Sequence, residues 1–165
     1  GGVGKTTIVK VMYNAIVSKF EAHCFLADIQ DYRGRPNWKF ALQKRLISCL
    51  AQYDKKPIIR DHTDGVTMII KLISRRKVLL VLDDVSNFEE LRILGIHPNY
   101  FHQGSRIIVT TRDESSLGNL PYTSYNTRLL DDKESVELST RLTFEQDEVI
   151  DEEVLKEIQH CAAGL

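Results

Sequence analysis

Three clusters of side chains in this chain are of the types that handle phosphate and a divalent cation. The first is Gly1-Gly2-Val3-Gly4-Lys5-Thr6-Thr7, at the very start. A phosphate-binding loop follows the pattern Gly, four residues, Gly-Lys-Ser/Thr, and Gly4-Lys5-Thr6 supplies its distal half. Its first glycine would precede residue 1. Glycines let the backbone turn its N–H groups onto phosphate oxygens with no Cβ in the way. In this reading Gly2, Val3, Gly4, Lys5, Thr6 and Thr7 cradle the phosphates, Lys5 reaches the β- and γ-phosphates, and the Thr6 hydroxyl ligates Mg²⁺. Helix-forming residues follow at once, so the phosphates would meet the positive end of a helix. A glycine turn that merely happens to precede Lys-Thr is the plainer alternative.

The second cluster is Asp83-Asp84, which closes the apolar run Val78-Leu79-Leu80-Val81-Leu82. An acidic group at the end of such a strand, downstream of a phosphate loop, is the Walker B arrangement. Asp83 is assigned to magnesium, usually held through water because the ion keeps much of its hydration shell. Asp84 can orient or deprotonate a water for attack on the γ-phosphate, although adjacent strand positions point to opposite faces. A solvated strand end or a turn is the alternative for this pair. The third cluster follows Ile107-Ile108-Val109-Thr110, where Arg112 can reach the same edge and bind a γ-phosphate through charge-assisted bonds. A surface ion pair with Asp113 or Glu114 is the competing reading. The five histidines show no metal-ligand spacing, and no Gly-x-Ser-x-Gly elbow is present.

These clusters need a scaffold, and 165 residues at 42% hydrophobic suffice for one cored domain. The 22 basic and 23 acidic residues give a formal net charge of -1, with no bulk signal for nucleic acid or membrane. Cys24, Cys49 and Cys161 are odd in number, widely spaced and without a C-x-x-C pair, so they read as small buried hydrophobes in a reducing compartment. No apolar run approaches the roughly 18 residues of a membrane span.

Helical periodicity predicts helices over about Thr6 to Ser18, from Asn37 to Leu50, from Asp64 to Ser74 and from Phe88 to Leu94. Their inner faces are read as Ile8, Val11, Met12, Ala15 and Ile16; then Trp38, Ala41, Leu42, Arg45, Leu46, Cys49 and Leu50; then Val66, Ile69, Ile70 and Ile73. Strands are predicted at His23–Ala27, buried on both faces, at Val78–Leu82, at Ile107–Thr110 and, more weakly, near Tyr122 to Thr127. Further helices are expected near 132–144 and 151–163. Alternation of strands and helices implies an α/β fold with a doubly wound, mainly parallel sheet, whose ligands bind beyond the carboxyl ends of the strands. The division expected is a nucleotide-binding core over 1–121, lacking its first strand, and a segment over 122–165 that ends the core and begins a small helical subdomain.

Taken in order, Gly1–Thr7, Lys77–Val85 and Gly104–Asp113 resemble the successive motifs of the NB-ARC domain. That is the nucleotide-binding domain of plant intracellular disease-resistance proteins with leucine-rich repeats. The resemblance implies a P-loop NTPase fold and a switch that binds ADP at rest, exchanges it for ATP on activation and resets by slow hydrolysis. It implies that Arg112 is the γ-phosphate sensor. It also implies a cytoplasmic or nuclear location, defence signalling, companion domains in the parent receptor, and oligomerisation on activation. Phe25-Leu26-Ala27-Asp28-Ile29 resembles the version found with an N-terminal TIR domain. Ser86 departs from the tryptophan usual in the coiled-coil class and from the aspartate commoner in the TIR class. Ser139 stands where the family usually has an aromatic. Gly164-Leu165 resembles the opening of the family's Gly-Leu-Pro-Leu motif. Because the first loop glycine precedes residue 1, the 165-residue chain by itself is expected to bind nucleotide poorly. The rivals to the switch are an ordinary P-loop ATPase engine and a scaffold or pseudogene product that binds no nucleotide.

Overall fold

Unbroken β-branched and leucine stretches belong in the middle of parallel sheets, where both faces are covered. Val78–Leu82 takes that place. In the structure, a computed structural model that describes residues 5–51 and 58–124, three parallel strands lie in the order β1-β2-β3. They are β1 (Ala22–Leu26), β2 (Val78–Val85) and β3 (Arg106–Thr111). β2 is hydrogen-bonded on both sides, with Ala22 opposite Val78 on one and Leu80 opposite Ile107 on the other. Helix α1 (Lys5–Ile16) precedes the sheet, α2 (Ile29–Tyr32), α3 (Trp38–Ala51) and α4 (His62–Ile73) connect β1 to β2, and α5 (Phe88–Ile93) leads from β2 to β3. The described residues belong to one unit, Lys5–Ser124.

Strand alternation sorts the side chains onto two faces. Ala22, Cys24, Leu26, Val78, Leu80 and Leu82 join Leu42, Leu46 and Leu50 of α3 and Ile69 and Ile73 of α4 in the main core cluster. Each leucine or isoleucine so enclosed contributes about 1.5–3 kcal/mol relative to exposure. The residues between them on the strands face α1, whose Tyr13 ring meets Phe25 edge-on at 5.5 Å and His23 at 5.8 Å. Helices therefore cover both faces, as the doubly wound reading requires.

Several expectations shift in detail. β1 is buried on one face only, since His23 is exposed while Cys24 and Leu26 are enclosed. An edge strand needs only one apolar face. The buried face of α1 centres on Val9, and Ala15 is exposed. On α3, Gln43 and Ile47 are buried and Arg45 is exposed, a rotation of the predicted face. Gln43 is drawn in by two backbone acceptors that no periodicity reveals. Its Nε2 donates to the Ile93 carbonyl at 2.8 Å and the His62 carbonyl at 3.0 Å, tying α3 to the end of α5 and the start of α4. Trp38 packs against the core as expected. Asn37 enters α3 with φ 58, and its carbonyl accepts from Ala41 N–H. Of the cations after α4, Arg76 donates to the Leu50 carbonyl at 3.0 Å, serving the end of α3 as well as following α4. Pro121–Ser124 carry no strand. The remainder of that expected strand, the helices near 132–144 and 151–163, the helical subdomain and Ser139 lie outside the described residues.

Candidate functional site

Alternation decides where Asp83 goes. Leu79 and Val81 face α1, so Asp83, the next residue of that parity, ends the same face. Thr6 meets it there from the first turn of α1, its hydroxyl 2.9 Å from Asp83 Oδ2 and 3.2 Å from Oδ1. Asp83 is only 3% exposed, a burial that a carboxylate sustains by accepting hydrogen bonds. Its second donor is Thr110 of β3, whose hydroxyl lies 2.6 Å from Oδ1, the short distance of a charge-assisted bond.

β2 does not stop at the aspartate pair, as the sequence suggested, but continues to Val85 by bulging. Leu82 pairs with Val109 and Val85 with Thr111, so Asp83 and Asp84 together face the single residue Thr110. Asp84 takes φ 57, a left-handed conformation that aspartate tolerates better than most residues. The Thr110 hydroxyl accepts from Asp84 N–H at 2.8 Å while donating to Asp83. One hydroxyl thus holds both halves of the bulge. Val85, which unbroken alternation would send to the α1 face, joins the main core cluster instead.

Arg112, just past β3, reaches back to Asp84. Its Nε lies 3.2 Å from Oδ1 and its Nη2 3.4 Å from Oδ2. An ion pair, the competing reading for this arginine, does form, but its partner is Asp84 rather than Asp113 or Glu114. Asp113 caps the turn Glu114–Leu117, and its carboxyl is held below the usual carboxylate range, first by the Ser115 hydroxyl and then by Ser115 N–H. The structure therefore gathers Thr6, Asp83, Asp84 and Arg112 at the carboxyl end of β2 and β3. Lys5 and Thr7 flank Thr6 in the first turn of α1, which carries no acidic residue to oppose an anion. Gly2, Val3 and Gly4 lie outside the described residues.

Sequence reasoning missed two participants. The sequence marks Thr110 only as a strand residue; its parity with Ile108 on the α1 face is the available signal. The other is the loop after β2, where Glu90, fully buried, accepts from Ser86 N–H at 2.8 Å and the Ser86 hydroxyl at 2.9 Å and pairs with Arg33 at 3.1 Å. Asn87 and Glu90 also form a reciprocal capping box at the start of α5. Ser86 is thus built into the loop that leaves the site. A separate cleft of about 260 Å³ opens beyond β1, lined by Asp28, Asp31, Tyr32, Arg35 and Arg45 among others, and includes none of the site residues predicted from sequence.

Thr6 and Asp83 offer two hard oxygen groups in mutual contact, a donor set suited to an oxygen-seeking ion such as Mg²⁺. A parallel sheet wrapped by helices, with an acidic strand end beneath the first turn of a helix that opens on Lys5-Thr6, defines a P-loop NTPase domain. The profile of the NB-ARC domain matches residues 1–159, and the chain belongs to the NB-ARC domain family, whose members bind nucleotide. Its relatives include plant proteins. It is 33% identical over 147 residues to disease resistance protein RPV1 of Vitis rotundifolia, covering 88% of this chain and 10% of that protein. It is 33% identical over 152 residues to TMV resistance protein N of Nicotiana glutinosa, covering 87% and 13%, and 30% identical over 143 residues to disease resistance-like protein DSC1 of Arabidopsis thaliana, covering 87% and 12%. The chain thus spans between 10% and 13% of the length of these relatives. Among the described residues no helix is long and apolar enough to cross a membrane.

Proposed function

We propose that this chain is the ADP/ATP-binding switch domain of an intracellular plant immune receptor, active in defence signalling and hydrolysing ATP slowly within the intact protein. The observation that carries the reading is the convergence of Thr6, Thr110 and Asp83 beneath the phosphate-loop helix. Gly2 to Thr7 bind the phosphates, with Lys5 on the β- and γ-phosphates. Thr6, through its hydroxyl, and Asp83, through water, would hold Mg²⁺. When bound, that ion neutralises phosphate charge. Thr110 keeps the Asp83 carboxylate oriented, Asp84 stands next to it as the group that activates water, and Arg112 reads the γ-phosphate.

The parent receptor carries a TIR domain and leucine-rich repeats, acts in the cytoplasm or nucleus and oligomerises when activated. Residues 1–121 form the core and 122–165 lead into a helical subdomain. Sequencing the coding region around this stretch tests the domain company, and a coiled-coil segment upstream would overturn the TIR assignment. The deciding experiment is nucleotide analysis of the denatured full-length protein. Stoichiometric ADP is expected. Its absence, or fast steady turnover of ATP, would overturn the switch.

A further inference from the structure

We propose that Asp84 sets the discrimination between nucleoside diphosphate and triphosphate by competing with the terminal phosphate for Arg112, an inference that rests on the nucleotide reading above. The two contacts between Arg112 and Asp84, at 3.2 and 3.4 Å, join a guanidinium fork to both carboxylate oxygens. A terminal phosphate offers the same fork two oxygens in a similar arrangement, so the two anions contend for one set of donors.

The supports of the two groups are unequal. Asp84 is fixed by the bulge, by its left-handed backbone and by its N–H on Thr110. Arg112 lies beyond the end of β3, and its side chain is 63% exposed. The arginine is the element that moves, and the carboxylate is its resting dock. An ion pair this open to solvent is weak, which lets a phosphate of higher charge displace it. A diphosphate leaves the pair intact; a triphosphate must break it. Asp84 therefore lowers the affinity for ATP without altering that for ADP, and biases the site toward the diphosphate.

The test is calorimetric titration of the full-length protein, first stripped of retained nucleotide, with ADP and with a non-hydrolysable ATP analogue. Asp84→Asn removes the charge with a residue that also tolerates a left-handed backbone. Asp84→Gly, to which positive φ costs nothing, is the second variant should the first fold poorly. Either substitution is expected to raise affinity for the analogue up to about fivefold and leave ADP unchanged. Arg112→Gln is expected to weaken the analogue selectively, and the double variant Arg112→Gln with Asp84→Asn to lose the gain. An unchanged or lowered ratio of analogue to ADP affinity in the Asp84 variants, with ADP still bound, overturns the competition alone. If the wild-type protein binds neither nucleotide, the nucleotide reading itself fails.

Discussion

Replacing Thr110 by valine keeps the shape of the side chain and removes one hydroxyl, which in this structure makes two hydrogen bonds at once. The bond to Asp83 is short, 2.6 Å, and ends on a carboxylate that is 3% exposed. Losing such a bond costs about 1.5–3 kcal/mol. The Asp84 N–H, 2.8 Å from the same oxygen, also loses its acceptor. Asp84 is only partly buried, so water can replace that acceptor and the cost sits near the low end of the range, about 1 kcal/mol. The added methyl returns less than about 1 kcal/mol. A net loss of about 3 kcal/mol follows, or a urea midpoint lower by on the order of 1.5 M for an m-value near 2 kcal/mol/M. Thr110→Ser separates the hydroxyl from the bulk. It keeps both bonds, sheds one methyl and should cost about 1 kcal/mol. Urea unfolding of the two variants beside the wild type measures the difference. A valine variant within 1 kcal/mol of the wild type, or no more damaged than the serine variant, would refute the role given to this hydroxyl.

Three other outcomes are expected. In Gly65→Ala, helix propensity favours alanine by about 1 kcal/mol, but the new Cβ would sit 2.3 Å from Gln43 Oε1 and 2.6 Å from its Cδ. Gln43 must then give up its bonds to Ile93 and His62, so thermal unfolding should show a net destabilisation of about 2 kcal/mol, and a stabilised variant would contradict the packing. Cys49 is held below the usual thiol range by the Cys24 thiol and then by Arg45, while Cys24 is raised, first by its bond to Cys49 and then by burial. Native alkylation with iodoacetamide, mapped by mass spectrometry, should label Cys49 at neutral pH well ahead of Cys24. Equal labelling would count against the paired thiols. Asp113, depressed by Ser115, contributes stability that is complete above the ordinary carboxylate pKa and is lost as pH falls through its lower folded value. A urea series taken downward from about pH 5 should therefore show a small acid-side decline that Ser115→Ala flattens.

How much of this was legible in the sequence depended on whether a residue's fate is set by its neighbours along the chain or across space. β2 was legible because a strand buried on both faces must be apolar throughout, and β3 because Ile107-Ile108-Val109 is an unbroken β-branched run. Asp83 was legible because an acid ending such a strand has few other uses downstream of Gly-Lys-Thr. The bulge was not, since it is carried by Asp84 and not by the glycine that usually signals positive φ. Thr110, Gln43 and Glu90 escaped for a shared reason. Each is a polar residue buried by partners 19 to 57 positions away: Thr110 with Asp83, Gln43 with His62 and Ile93, and Glu90 with Arg33. Periodicity records which face is apolar and is blind to a polar group that finds a partner inside. The cysteine pair was hidden likewise, since Cys24 and Cys49 are far apart in sequence and only the packing of α3 on β1 brings their thiols together.

The bulge also means that β2 is one residue longer than its ladder requires. Were Asp84 deleted, Val85 would slide into the place that strict alternation assigns to the core, which is where it already resides. Neither the hydrogen-bonded register nor the apolar interior would have to be rebuilt. Asp84 is in that sense an interpolated residue, spent by neither the sheet nor the core. Its side chain can change in chemistry while the framework on either side stands, provided that the replacement accepts φ 57.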